Sequence, residues 1–174
     1  LGEEGRAAAL ASRYARAFPI AYRMDHGPEE AARDVMELRQ LEGPQARAAR
    51  LHRRPDDGAE QLRLKLYSQA GAIPLSETVP MLENFGFAVL EEVPTALTGA
   101  ESIYIHDFLL KVRGSSPAER LLERADAIEA AIAGTLQGGA ENDPFNRLVT
   151  GTGLSAQEAD WLRAFYRYLR QTGM

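Results

Sequence analysis

Three histidines, one His-Asp dipeptide and one glycine-spaced turn are the residues here whose types and spacing could do chemistry. The turn is "VTGTGLSAQEADW", residues 149–161, in which Gly151-x-Gly153-x-x-Ala156 has the spacing of a dinucleotide fingerprint. That fingerprint needs a strand before it, a helix N-terminus facing the pyrophosphate and an acidic residue about 20 positions on for the ribose. "DPFNRLV" ahead of it reads as helical and not as a strand, so the expectation is a glycine turn between two helices, with Ser155 capping the second. His26, His52 and His106 fall in three segments with no second histidine at i+4, so no site with three or four convergent ligands, and hence no metal, is expected. His106-Asp107 is the most suggestive pair, but adjacent residues of a strand point to opposite faces, which predicts a structural histidine. No Gly-x-Ser-x-Gly elbow supports a serine nucleophile, and the chain has no cysteine, hence no thiolate and no disulfide framework. No catalytic and no cofactor-binding residue is expected.

Those residues must be positioned by a chain of 174 residues, long enough for one globular core. Its formal net charge of -5 and pI near 5.3 argue against polyanion binding as its main business. "RAARLHRRP" is basic, but no aromatic residues interleave for stacking, so a solvated linker and no nucleic-acid partner is expected. No apolar run approaches the roughly 18 residues that cross a bilayer, and no signal peptide opens the chain, so a cytoplasmic protein with no membrane partner is expected. The alanine-rich start without an initiator Met reads as a piece cut from something longer.

Helical spacing covers residues 2–17 and then "DHGPEEAARDVMELRQLEG", where Pro28 suits the first helical position, Glu29 and Glu30 the positive end of the dipole, and Ala31, Val35, Leu38 and Leu41 an inner stripe. Residues 1–43 form an N-terminal helical segment, and the polar stretch 44–60 reads as a linker. The period then changes. "QLRLKLY" alternates Leu62, Leu64 and Leu66 with Gln61, Arg63 and Lys65, a half-buried strand. A turn at Gly71 leads to a helix with Ser76 as cap, Pro80 in its first turn and Val79, Leu82 and Phe85 inward; "AVLEEV" and "IYIHDFLLKV" are the next strands. "PAERLLERADAIEAAIAGTLQGG" is a helix with Leu121, Ala125, Ile128, Ile132 and Leu136 in one stripe. The fold class is therefore α+β: a βαββα module over 61–138, one strand short of a ferredoxin-like unit, flanked by N-terminal and C-terminal helices. The segment 139–174 is helical, with Ser155 and Glu158 as a capping box and an aromatic run from Trp161 to Leu169 that needs a packing partner.

"RLKLYSQAGAIPLSETVPMLENFGFAVLEE", "YIHDFLL" and "NDPFNRLVTGTGLSAQEADWLRAFYRYLRQTGM" together resemble the segment just upstream of the catalytic region in the large bacterial NAD-specific glutamate dehydrogenases. The shared pattern is a Lys-Leu-Tyr strand, Ile-Pro-Leu-Ser, a Pro-x-Leu-Glu-Asn-x-Gly helix end, an Ile-His-Asp-Phe strand, Phe-Asn-Arg-Leu and an aromatic helix ending Tyr-Leu-Arg-Gln. The resemblance spans about 61–171, and "RYARAFPIAYRMDHGPEEAARDV" is similar to the stretch before it. It implies an ACT-like module plus helices leading into catalysis, within an oligomeric oxidoreductase of amino-acid catabolism that uses NAD. It puts no catalytic or NAD-binding residue on this chain, whose partners would be the catalytic domain and other modules of the same polypeptide. ACT modules bind amino acids at the turn after their first strand, which here assigns an effector site to Ala70, Gly71, Ala72 and Ser76. A glycine lets backbone approach a ligand and helix N-terminal amides attract a carboxylate. Three roles follow as alternatives: a regulatory and assembly segment, an amino-acid sensor, and a pure scaffold.

Overall fold

A computed structural model describes residues 14, 16–99, 102–114 and 117–173. The helix expected over 2–17 lies largely outside the described residues. The elements in chain order are α1 (Ile20–Asp25), α2 (Pro28–Gln40), β1 (Arg47–His52), β2 (Gln61–Ser68), α3 (Leu75–Asn84), β3 (Phe87–Ala96) and β4 (Tyr104–Val112), then α4 (Ala118–Leu122), α5 (Ala125–Leu136), a 3-10 turn (Pro144–Asn146), α6 (Arg147–Gly151) and α7 (Ala156–Gln171).

The four strands form one antiparallel sheet in the order β1-β2-β4-β3. This is the spatial order of a ferredoxin-like sheet, with its fourth strand supplied from upstream of the first. The strand missing from the βαββα reading is therefore β1, which lies inside the stretch 44–60 read as a linker. "RAARLH" hides its strand character because only Ala49 and Leu51 serve the apolar face. Its alternate residues Arg50 and His52 are polar, yet they too are largely covered.

One face of the sheet carries Leu62, Leu64, Leu66, Phe108 and Leu110, packed in one core with Met81, Leu82 and Phe85 of α3 and its C-terminus, Leu121 of α4, and Ile128 and Ile132 of α5. Each such side chain contributes roughly 1.5–3 kcal/mol on burial, which makes this layer the main support of the module. The expected helix over 117–139 is two, α4 and α5, broken at Glu123 and Arg124, although its stripe still faces this core. Pro80 lies inside α3 and not in its first turn, because the helix begins at Leu75. Proline deprives the carbonyl four residues back of its partner; Pro80 and Ser76 are both exposed, so water can serve it.

Both sheet edges are blunted. Along β1, Glu129 Oε1 accepts from the Leu51 amide at 2.6 Å and Gln137 Nε2 donates to the Arg47 carbonyl at 2.9 Å, so α5 and the residue after it occupy main-chain groups of that edge. Along β3, Pro94 and a bulge between Val89 and Glu91 interrupt a regular ladder. Such devices discourage strand addition.

Candidate functional site

The turn after β2 is the first candidate, since Ala70, Gly71, Ala72 and Ser76 were assigned there. Gly71 adopts φ +94°, the left-handed region that favours glycine, and its amide donates to the Ser102 carbonyl at 2.8 Å. The Ile73 amide donates to His106 Nε2 at 3.0 Å. That bond leaves the ring proton on Nδ1, which donates to Glu92 Oε1 at 2.7 Å. His106 thus pins the turn to the sheet, a role the dipeptide reading predicted in kind and not in partner. Ser76 is not the cap: Pro74 occupies that position, no side chain caps α3, and Ser76 is exposed within its first turn. Ala70 and Ala72 are exposed as well. The four residues thus share one turn and helix start, where the Ala70, Gly71 and Ile73 amides are already bonded.

The second candidate lies on the opposite face of the sheet. Cross-strand register places Arg50, Lys65 and Asp107 in one row, with Tyr67 in the row beside it. The helical segment covers these rows, and Asp34 of α2 enters them with no exposure at all, as does Lys65. Lys65 Nζ donates to Asp34 Oδ2 at 2.6 Å and pairs with Glu30 Oε1 at 2.9 Å. Tyr67 donates to Asp34 Oδ1 at 2.8 Å, Tyr22 donates to its other oxygen, and Arg50 Nη2 reaches Oδ1 at 3.2 Å while also pairing with Glu30. Around these charges pack Phe18, Leu38, Leu97 and Ile105.

Burial sets the protonation chemistry of the cluster, and ion pairing decides where it loses. Burial works to raise the Glu30 pKa, but hydrogen bonding and charge from Lys65, with Arg50, hold it at about 2. Burial pushes His52 down to about 4, helped by the adjacent Arg50. Tyr22 and Tyr67 are both raised, first by burial and then by the charge of Asp34. Asp107 is lowered although burial opposes it, chiefly through its bond with His26, whose Nε2 lies 3.3 Å from Oδ2. Its Oδ1 is buried without a protein partner, beside a cavity of about 40 Å³ whose lining includes Tyr22, His26 and Lys65, room for one water.

His26 and His52 therefore share this face, and His106 looks the other way, as adjacent strand positions require. No group of three or more His, Asp or Glu side chains that could hold a metal occurs among the described residues. Asp34, Glu30, Lys65 and Arg50 are paired with one another between α2 and the sheet, while Asp107 Oδ1 and His52 Nδ1 beside them have no protein partner. One sequence signal pointed to it: Asp34 sits three residues after Ala31 and four before Leu38, inside the stripe read as apolar.

The glycine turn resolves as expected. Gly151 ends α6, Gly153 takes φ +87° and Ser155 with Glu158 forms the reciprocal capping box of α7. Arg124 packs against the turn, its Nη1 donating to the Val149 carbonyl at 3.1 Å. Its guanidinium would lie 3.1 Å from a Cβ at Gly153.

Comparison with known proteins places the chain among similar ones. Residues 1–41 match "Glutamate dehydrogenase, helical motif 2", residues 46–124 match "Glutamate dehydrogenase, ACT3 domain" and residues 140–174 match "Glutamate dehydrogenase, helical motif 3". The chain is 37% identical over 171 residues to the NAD-specific glutamate dehydrogenase of Halomonas elongata, covering 98% of this chain and 10% of that protein. It is 32% identical to those of Pseudomonas aeruginosa and Mycobacterium tuberculosis, covering 98% and 99% of this chain and 11% of each relative. The chain thus spans about a tenth of the length of the curated relatives it matches.

Proposed function

The chain belongs to the glutamate dehydrogenase family, as its helical motif 2, ACT3 domain and helical motif 3, and from that premise we propose that it is a non-catalytic assembly and regulatory segment of an NAD-dependent glutamate dehydrogenase. In the whole enzyme, L-glutamate, NAD+ and water would give 2-oxoglutarate, ammonium, NADH and a proton. The NAD site and the catalytic residues would lie in other modules of the same polypeptide, in a homo-oligomer.

The observation that carries the assembly reading is the buried charge cluster. Helical motif 2 and the ACT3 sheet are joined by Asp34, Glu30, Lys65 and Arg50, all at least largely covered, so both faces of the sheet are occupied and the two units pack as one body. Buried charges demand particular partners in particular places, which suits a part whose work is to hold modules in register. NADH formation from L-glutamate and NAD tests the reading, measured with the full-length parent and with residues 1–174 alone. Turnover is expected from the former; turnover by the shorter chain overturns the assignment as non-catalytic.

A regulatory role in amino-acid binding has its own support. The N-terminus of α3 carries no side-chain cap, and a Cβ at Gly71 would meet nothing within 4 Å, so the exposed turn has open space beside helix amides. Calorimetry of the full-length protein against the common amino acids, repeated with Gly71→Val, checks this role. Heat with one amino acid, abolished by the substitution, supports it; the absence of heat with all of them removes it and leaves assembly.

A further inference from the structure

α7 is amphipathic the wrong way round for its own chain. Its buried residues are Ala159 and Arg163. Arg163 is held by Asp143, Nε to Oδ2 at 2.6 Å and Nη2 to Oδ1 at 2.9 Å, and by Asn146 Oδ1 at 2.9 Å, with Asp160 as a further partner. The inner contact of the helix is thus largely an ion pair to the residues around the 3-10 turn. Its apolar residues point away: Trp161, Phe165 and Tyr168 are 57%, 64% and 64% exposed, and Leu162 and Leu169 are exposed beside them. Positions 161, 165, 168 and 169, with 162, recur at helical spacing and make one stripe. Aromatic residues gathered in an exposed stripe mark an interface, because each loses most of its contact with water on docking.

We propose that this stripe is a docking face whose occupant is an apolar surface of the same polypeptide outside residues 1–174. The proposal rests on the family reading, because the relatives carry about nine-tenths of their length beyond the stretch matched here. A surface tethered on the same chain is presented at an effective concentration that a second molecule rarely reaches. The helix is fixed in direction by its capping box and by the Arg163–Asp143 pair, so its orientation is set before the stripe is covered. α7 therefore serves as a rigid arm between the ACT3 domain and whatever seats on it.

The test uses the full-length parent protein with the photo-crosslinking residue p-benzoylphenylalanine placed at Phe165, and separately at Tyr168. Both positions are open in this chain, so the bulk is accommodated at either. After irradiation, a product that keeps the mass of one chain and joins α7 to a peptide outside residues 1–174 is the expected result. A product of two chains means that a second copy covers the stripe, and no crosslink at either position means that nothing does; each overturns the proposal. NAD-dependent glutamate turnover of the same preparation separates the two readings. An active preparation that crosslinks between chains loses only the docking assignment, whereas an inactive one that crosslinks within a chain loses the family function and keeps the arm.

Discussion

Asp34 has four donors for its two carboxylate oxygens: Tyr22, Tyr67, Lys65 and Arg50. Lys65 in turn has no exposure, and its ammonium lies 5.3 Å from the centre of the Tyr22 ring. Replacing such a pair by apolar groups of the same shape can be nearly neutral, but removing one partner strands the other. Lys65→Met keeps length and apolar character and leaves Asp34 and Glu30 short of a cation. It is expected to destabilise the chain by about 3–5 kcal/mol, read as a fall in the urea midpoint at neutral pH. A loss below about 1 kcal/mol would show that Arg50 alone neutralises both carboxylates. The residue that alternation put on the solvent side of β2 is thus among the most deeply buried in the chain.

At the scale of elements, the turn between α6 and α7 distinguishes a connector from a phosphate loop. Gly153 has a positive φ and faces the Arg124 guanidinium, so Gly153→Ala is expected to cost about 1–3 kcal/mol from backbone strain. Gly151 ends α6 outside the left-handed region, and a Cβ there meets nothing within 4 Å. Gly151→Ala is accordingly expected to be neutral or to stabilise by about 0.5–1 kcal/mol. Thermal unfolding of the two variants side by side checks the order; equal losses would contradict the connector reading. The elements themselves were legible to different degrees. The strands β2, β3 and β4, the helix from Pro28 and the capping box at Ser155 follow from periodicity and capping chemistry. β1 did not, because its polar alternate residues looked like a solvated run, and the Ser76 cap failed because α3 begins two residues earlier than such a cap requires, after Pro74. Of the assigned turn, Gly71 was readable from its residue type, whereas the His106 bond to Ile73 joins residues 33 apart and has no local signature.

The whole molecule should show its buried charges in its response to acid. His52 has a folded pKa of about 4 against an ordinary 6.5, so between those values the unfolded chain binds a proton that the folded chain refuses. Stability therefore falls as pH drops from about 6.5 to about 4, by roughly 3 kcal/mol at the limit. Glu30, at about 2 against 4.5, adds a loss of the same sign in the lower window as pH falls from 4.5 toward 2, and Asp107, also lowered, acts in the same direction. Glu37 and Glu129 are raised by burial and oppose this, so the clean measurement is a difference. Urea unfolding of the wild type and of His52→Gln at pH 7 and pH 4.5 should show the wild type losing more stability than the variant; parallel losses would mean that His52 is solvated.

By itself the sequence determined the α+β class, three of the four strands, the amphipathic helices, the glycine connector and the family, because these rest on local periodicity, capping chemistry and ordered motifs. Only the tertiary structure decided that the sheet is completed from upstream, that Asp34, Lys65 and Arg50 meet inside it, and that the aromatic stripe of α7 faces outward. Whether a charged side chain is solvated or paired in the interior depends on what another segment brings to it, and the carboxylate that neutralises Lys65 is 31 residues away along the chain.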